Sequence, residues 1–312
     1  MRWSGSCYGR VVGARRAVSL FVAALAAACG ARTELYVPLH KDAGPDAHVV
    51  HDAGLDVVEE PPDFPPLEPT HVDADKTDCP AETFVWVVST DDKLLRFDPP
   101  SATFTPVGKL VCPGSNGSHP FSMAVDRKGT AWVEYDNGSL YGVSTADGSC
   151  TASSYVPNQV VPFSNFGMGY ATIGAGPSEQ LFVSADTPGT LGMLVDFKVQ
   201  PVGEFLPSMP YAELTGTGDG RLFAYYAFGY QDGSYVAELD KTTGKIIAQD
   251  PLPTVNRGIG WAFAFWGGDF YLFTTPDGQV TVKYDPETKV PQVVAHYSAT
   301  IVGAGVSTCA PN

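Results

Sequence analysis

Short apolar segments recur along this chain at a regular interval, and this internal repeat limits its possible folds more than any other feature. From Cys79 onward the segments alternate with Gly, Asp, Asn and Pro turns, and no helical periodicity is evident. The matching segments are Tyr170-Ala171 with Tyr211-Ala212 and Leu181-Phe182 with Leu222-Phe223, both 41 residues apart, and Ala171–Gly176 with Ala299–Gly305. A period of about 40 to 50 residues in an all-β pattern is typical of a β-propeller, in which each repeat is one blade.

The repeat divides the chain into blades of four strands each. We predict the strands of blade 2 at 121–126, 130–135, 139–144 and 150–156, and those of blade 3 at 170–175, 180–185, 190–197 and 201–206. The strands of blade 4 are predicted at 211–216, 221–229, 234–239 and 244–248, and those of blade 5 at 261–266, 269–275, 279–284 and 291–296. Asn137-Gly138, Asp232-Gly233 and Asp277-Gly278 lie where hairpins turn, and such pairs favour the positive φ that tight hairpins need. The turn Leu239–Gly244 resembles the blade turns of many bacterial propellers.

The first blade is divided between the two ends of the repeat region. Phe84–Val87 corresponds to a second strand that has no first strand before it, whereas Ile301–Ser307 is a first strand without a following blade. Placing the last strand in the first blade closes the ring and protects edges that an open array would expose. The expected fold is an all-β, five-bladed β-propeller over residues 79–312, closed by the C-terminal strand.

Four cysteines lie in the predicted propeller, and three pairings are open to them. None belongs to a Cys-x-x-Cys pair, so the spacing supports neither a zinc site nor a redox motif. Cys309 ends the innermost strand of blade 1, and Cys79 lies just before the next strand of that blade. Cys112 and Cys150 fall on outer strands of neighbouring blades. We therefore predict the disulfides Cys79–Cys309 and Cys112–Cys150.

The N-terminal segment has the features of an export signal. Arg15-Arg16 precedes about a dozen apolar residues, too few to span a membrane, and Ala26–Ala28 leads into Cys29. This order resembles a bacterial lipoprotein signal, in which the cysteine is acylated and becomes the mature N-terminus. The resemblance implies a signal peptide over residues 1–28, lipidation (palmitate) of Cys29 and, because Gly30 rather than Asp follows, the outer membrane. Ordinary secretion with an unmodified Cys29 is the alternative.

Residues 29–78 differ in composition from the rest of the chain. Residues 30–78 contain seven prolines and twelve acids against three bases. Such a segment buries too little apolar surface to offset the entropy of ordering it, so we expect a disordered acidic linker. Its histidines, which are His40, His48, His51 and His71, are interpreted as solvated rather than metal-binding. The opening Cys29–Leu35 and the repeated Asp-Ala-Gly at 42–44 and 52–54 resemble predicted lipoproteins of myxobacteria.

The charge balance excludes one class of partner. The chain carries 19 basic and 34 acidic residues, a formal net charge of −15. Four arginines and no acids precede Cys29, so the remainder has fifteen bases against 34 acids and a net charge of −19. A surface this acidic repels phosphate backbones, and we expect no nucleic-acid partner.

An exported five-bladed propeller directs the search for chemistry to the central channel, where glycosidases of this shape place paired carboxylates. Here Glu213 lies in a predicted inner strand, Asp126 ends another, and Glu134 is on a second strand, a scattered set for catalysis. His119 and His296 precede inner strands and, with Glu213, form a candidate metal-binding or acid–base group. Unrelated loop histidines and a solvated Glu213 are the favoured interpretation, so we assign no catalytic residue, metal or cofactor.

Aromatic residues are dense in two regions. The alternation in Trp261–Phe265 predicts a face buried against the next blade. Tyr225, Tyr226 and Tyr230 lie in a predicted extended hairpin and are the candidates for an exposed stacking surface that binds sugar or peptide.

These observations lead to one expected function and one alternative. We expect a monomeric lipoprotein, anchored to the cell envelope by its lipid, whose propeller is a non-catalytic binding or scaffold module for an envelope protein or glycan. In plan it resembles lipid-anchored propellers that scaffold envelope assembly. The alternative is an extracytoplasmic enzyme, glycosidase- or lactonase-like, with its site at the channel mouth. Fold alone does not choose between them.

Overall fold

The computed structural model of the protein describes residues 63–69, 72, 75–80, 83–174, 176–185, 189–275 and 278–312. The predicted signal peptide, Cys29 and the linker up to residue 62 lie outside this part of the chain. The described residues form an all-β, five-bladed β-propeller, as the repeat predicts. Among these residues we find no helix whose length and apolar character would suit crossing a membrane.

Each blade is a four-stranded antiparallel sheet. Blade 1 contains β1 (Val85–Ser89), β2 (Lys93–Asp98), β3 (Thr103–Lys109) and β20 (Ile301–Gly305). Blade 2 contains β4 (Pro120–Val125), β5 (Thr130–Tyr135), β6 (Leu140–Ser144) and β7 (Cys150–Ala152). Blade 3 contains β8 (Phe166–Thr172), β9 (Glu179–Ala185), β10 (Thr190–Val195) and β11 (Lys198–Glu204). Blade 4 contains β12 (Glu213–Gly216), β13 (Leu222–Tyr226), β14 (Ser234–Leu239) and β15 (Ile246–Leu252), and blade 5 contains β16 (Ala262–Trp266), β17 (Asp269–Thr274), β18 (Val280–Asp285) and β19 (Val290–His296).

The innermost strands β20, β4, β8, β12 and β16 pack side by side in a ring. Glycines permit this close approach: a Cβ on Gly167 of β8 would lie 2.1 Å from the Ala212 carbonyl oxygen, just before β12. The same glycine explains why β8 begins earlier than predicted. Gly167 and Gly169 interrupt the apolar pattern that marks a strand in the sequence, yet both lie inside β8.

The C-terminal strand closes the ring, as predicted. β20 pairs with β1, with Ala304 opposite Val87, and it also packs against β4 of blade 2. A Cβ on Gly303 would lie 2.7 Å from the backbone nitrogen of Met123, so the seam between blades 1 and 2 is tight. Strand β20 thus completes one blade and seals the ring against the next.

Both predicted disulfides are present. Cys79 and Cys309 are bonded with their Cα atoms 5.6 Å apart. Cys112 and Cys150 are bonded with a Cα separation of 5.0 Å. The first bridge ties the chain before β1 to the chain after β20, and the second joins blade 1 to blade 2.

Aromatic packing between blades forms much of the core. The Phe223 ring of blade 4 lies 6.1 Å from the ring of Phe265 and 4.9 Å from that of Phe270, both in blade 5. Trp261, Phe263 and Phe265 are 7%, 1% and 2% exposed. Their predicted role in core packing is confirmed.

Residues 63–69 pack against blades 4 and 5, and we call them the strap. Leu67 is 2% exposed and belongs to the same core cluster as Phe223, with Phe64 half-buried against it. The strap falls within the predicted linker, so for these residues the structure differs from that expectation. Composition averages over a long segment, whereas two apolar side chains on a proline-restricted backbone are enough to dock a short one.

Candidate functional site

Two glutamates lie inside the wall of the central channel. Glu213, the first residue of β12, is 2% exposed, so the expectation of a solvated side chain is wrong for it. Glu134, near the end of β5, is fully buried. One carboxyl oxygen of Glu213 accepts a hydrogen bond of 2.8 Å from the Ser122 hydroxyl of β4. Ser122 is also the cross-strand partner of Glu134. The register of blade 2 therefore brings both acids to one place on the inner ring.

Burial controls the charge of these two acids. It raises the pKa of Glu213 to about 8, although hydrogen bonds from Tyr211 and Ser122 act in the opposite direction. Burial likewise raises the pKa of Glu134 well above its ordinary value, and the neighbouring carboxyl of Glu213 raises it further. Two like charges in a low-dielectric site disfavour ionisation, so Glu213 is a protonated carboxylic acid at neutral pH, and the pKa of Glu134 is shifted in the same direction.

The two acids differ in the hydrogen bonding of their remaining carboxyl oxygens. In Glu213 it accepts a 2.5 Å hydrogen bond from the Tyr211 hydroxyl. In Glu134 one oxygen accepts from the Phe166 backbone N–H at 3.0 Å. The other Glu134 oxygen and the nearby Tyr155 hydroxyl are buried and have no hydrogen-bond partner among the described residues. Glu213 is thus fully engaged in the wall, and Glu134 keeps one unused oxygen.

A series of aromatic side chains leads from Glu213 toward the surface. The Tyr211 ring lies 5.6 Å from Phe121 and 5.3 Å from Trp261. The Arg257 guanidinium lies over Trp261 at 4.6 Å and over Tyr230 at 4.8 Å. We call these five residues the collar. Aromatic faces with a stacked cation offer contacts to planar or apolar groups.

Only one of the three tyrosines expected on an exposed stacking surface is exposed. Tyr225 and Tyr226 are 0% and 3% exposed, so for them the prediction is wrong. Both belong to β13, the second strand of its blade, and neighbouring structure covers both faces of that strand. Tyr230 lies beyond the strand and is 59% exposed, next to Phe228, which is 65% exposed.

The contacts that the structure shows for the candidate histidines do not include Glu213. His119 is exposed, and its Nδ1 lies 3.2 Å from Asp92 Oδ1. His296 ends β19 and is also exposed. Glu213 contacts Ser122 and Tyr211 instead. In the part of the chain that is described, no group of three or more His, Cys, Asp or Glu residues is arranged to hold a metal ion.

A groove of about 580 Å³ opens between blades 3 and 4. Its lining residues are Ile173, Gly174, Gln180, Phe182, Met193, Pro201, Val202, Lys241 and Thr242. The groove is not evident in the sequence because its lining residues come from five separate segments of the chain. The 41-residue spacing of Phe182 and Phe223 was the signal that related it to blade 4.

No protein-family model and no curated protein matches the chain. Among solved structures, a match titled "Structure of Dos1 propeller" has 12% sequence identity and a TM-score of 0.34, and it covers 71% of this chain and 70% of that chain. The strand order within and between the blades therefore remains the basis for describing the chain as a five-bladed β-propeller.

Proposed function

We propose that the protein is an exported lipoprotein, held at the outer membrane by lipid on Cys29, whose propeller is a non-catalytic module that binds an envelope protein or glycan. The sequence order of basic, apolar and small residues before Cys29 supports the anchor. The linker that follows would set the distance between the membrane and the propeller.

The burial and hydrogen bonding of Glu213 are the main support for a non-catalytic binding role. Glu213 uses both carboxyl oxygens in hydrogen bonds to Ser122 and Tyr211, and it is almost wholly buried. A general acid must reach the proton acceptor of its substrate within hydrogen-bond distance. An enclosed carboxyl does not reach a substrate in the channel, and the bonds of Glu213 to Ser122 and Tyr211 hold the inner strands together instead.

The accessible features of the propeller suit binding. The collar residue Tyr230 is 59% exposed, and Ile259, next to the collar, is 81% exposed. The Gly258 N–H donates to the Tyr230 carbonyl oxygen at 3.4 Å, which joins their loops. Exposed apolar side chains gathered at loops are typical of interaction surfaces. Tyrosine beside arginine is a frequent centre of such surfaces.

The test is affinity purification of the full chain from crosslinked membranes. We expect an envelope component to co-purify with the wild type and to be lost with Ile259→Asp. The matched control is Val111→Asp, because Val111 is also 81% exposed but lies in the loop after β3. Equal recovery with all three proteins, or with none, would contradict the proposed binding surface.

A hydrolase is the second candidate, and the raised pKa of two adjacent acids favours it. Glycosidases keep one carboxylic acid protonated near neutral pH so that it can protonate the leaving group. If Glu134 and Glu213 served in this way, the wild type would turn over a glycoside or lactone from a substrate panel. Glu213→Gln would abolish that turnover while circular dichroism shows that the propeller is still folded.

A further inference from the structure

The strap shows how this propeller binds an extended peptide. Leu67 inserts between blades 4 and 5, and its backbone N–H donates to Asp250 Oδ1 at 3.2 Å. Its carbonyl oxygen accepts from the Lys289 ammonium at 2.7 Å. Lys289 and the Tyr284 hydroxyl both donate to the other Asp250 oxygen, at 2.8 and 2.6 Å. A buried apolar anchor and bonded main-chain groups therefore hold the strap.

Two further main-chain bonds extend this contact along the face of blade 4. The Gln249 N–H donates to the Pro65 carbonyl oxygen at 2.9 Å. Arg221 donates to the Glu68 carbonyl oxygen at 2.8 Å and is ion-paired with Glu238 at 2.6 Å. The strap thus makes main-chain bonds on both sides of Leu67, as an extended proline-rich peptide does in a receptor groove.

The internal repeat gives blade 3 an equivalent of this binding face. Phe182 corresponds to Phe223, so Gln180 corresponds to Arg221. Met193 is the cross-strand partner of Phe182, as Glu238 is of Phe223. By the register of the outer strand pairs, Pro201 corresponds to Gln249 and Gly203 corresponds to Asp250, with Val202 at the bulge between them. Five of these blade 3 residues line the 580 Å³ groove: Gln180, Phe182, Met193, Pro201 and the bulge residue Val202.

The equivalent groove has a different chemistry. Gln180, Met193 and Gly203 stand where blade 4 has the charged residues Arg221, Glu238 and Asp250, so its walls carry less charge than those under the strap. Pro201 has no N–H, so the main-chain bond from Gln249 to the strap has no equivalent here. Lys241 is the one ionisable residue among its lining residues. The Lys241 ammonium donates to the carbonyl oxygens of Thr172, at 2.6 Å, and of Gly220. An ammonium has three N–H donors, and these two bonds use two of them. The Asp219 carboxylate also acts on the Lys241 charge and favours its protonated form, while burial disfavours it.

We propose that this groove binds an extended, proline-containing segment of a partner protein, with an apolar anchor followed by an acidic residue. The strap has this order in Leu67 and Glu68, and it occupies the equivalent groove in the same molecule. Prolines keep such a segment extended before binding, and this lowers the conformational entropy that the segment loses when it binds. The positive charge of Lys241, on a chain of net charge −15, complements the acidic residue. This inference rests on the proposed binding role and names its partner.

The test uses a labelled peptide with blocked termini and the sequence Asp-Phe-Pro-Pro-Leu-Glu-Pro, titrated into the full chain and followed by fluorescence anisotropy. We expect saturable binding that Met193→Glu and Pro201→Asp each weaken roughly tenfold or more. Pro201 is exposed, so its variant leaves the core intact. Val293→Glu is the matched control, since Val293 is 53% exposed on β19 of blade 5. Circular dichroism and the melting temperature verify each fold.

Three results would overturn the proposal. The first is the absence of saturable binding to the wild type. The second is binding that survives both groove variants but is lost in Asp250→Asn, because the peptide would then occupy the groove of the strap. The third is concentration-dependent dimerisation that Leu67→Asp abolishes, because the occupant would then be a second copy of the chain. None of these results affects whether the envelope component is lost with Ile259→Asp, so the broader binding proposal is tested separately.

Discussion

Ser122 of blade 2 donates a 2.8 Å hydrogen bond to Glu213 of blade 4, although their strands are not neighbours in the inner ring. The bond passes the end of β8, whose first residue donates its N–H to Glu134 at 3.0 Å. Three blades are therefore connected through two buried carboxyls. Removing a partner from such a site leaves a buried polar group unsatisfied, which costs about 1–3 kcal/mol.

The first prediction concerns pH and Glu213. Its pKa in the folded protein is about 8, above the ordinary value of 4.5, so the folded state binds the proton more tightly than the unfolded chain. The free energy of unfolding should therefore decrease as the pH rises from about 5 to 8, by up to about 1.4 kcal/mol per pH unit from this group. Glu134 acts in the same direction, because its pKa is also raised.

The measurement is urea unfolding of the wild type and Glu213→Gln across that pH range. The amide retains the shape of the side chain but does not titrate, so the dependence on pH should become weaker. Glu204→Gln, on the exposed end of β11, is the control and should leave the dependence unchanged. A wild type that becomes more stable as the pH rises would contradict the buried, protonated state.

The second prediction concerns ring closure. Truncation after Ser298 removes β20, which pairs with β1 and packs against β4, and it also removes Cys309. The exposed edges of β1 and of the neighbouring inner strands should cause aggregation or loss of cooperative unfolding. Calorimetry and size-exclusion chromatography would measure both. Deletion of the same number of residues from 40 to 53 is the control, and an equal effect would contradict the role of β20.

The third prediction compares the two disulfides. Cys79 and Cys309 are 230 residues apart in sequence, and Cys112 and Cys150 are 38 apart. In the chain-entropy model the longer loop stabilises more, about 5 against about 4 kcal/mol. Replacing both cysteines of a pair with serine should therefore lower the free energy of unfolding more for Cys79 and Cys309 than for Cys112 and Cys150. Non-reducing peptide mapping of the wild type should recover the same two pairs.

The fourth prediction concerns the strap. Composition places the start of the protease-resistant core near Cys79, but the burial of Leu67 moves the expected start upstream of Asp63. Limited proteolysis and mass spectrometry of the fragments would locate it. Leu67→Asp should expose residues 63–69 to cleavage while the rest of the core survives. Leu206→Asp, at a side chain that is 53% exposed, should leave the strap protected.

The fifth prediction concerns the anchor. Cys29→Ser should move the protein from the membrane pellet to the soluble fraction without unfolding the propeller, because acyl chains are the expected anchor. Cys7→Ser changes a cysteine within the predicted signal peptide and should leave the protein in the pellet. A Cys29→Ser protein that stays with the membrane would show that another contact holds it there.

Several features were predictable because they depend on neighbouring residues. Asn137-Gly138 and Asp232-Gly233 are turns, and Gly138 and Gly233 have the positive φ that such turns need. Cysteine pairing followed once each cysteine was assigned to a strand. Neighbouring residues do not decide the exposure of Tyr225 and Tyr226. A strand with aromatic residues on both faces is buried only if other strands cover both faces, and the local sequence does not show this.

The sequence by itself determined the repeat, the closing strand and both disulfides, because turn preferences and strand alternation act over a few residues and the repeat multiplies them. Only the tertiary structure decided that Leu67 is docked, that Glu134 and Glu213 meet, and that Met193 and Lys241 line one groove. The physical reason is that burial and pKa depend on contacts between blades. Residues far apart in sequence make those contacts, and the pattern of one blade does not specify which residues the next blade presents.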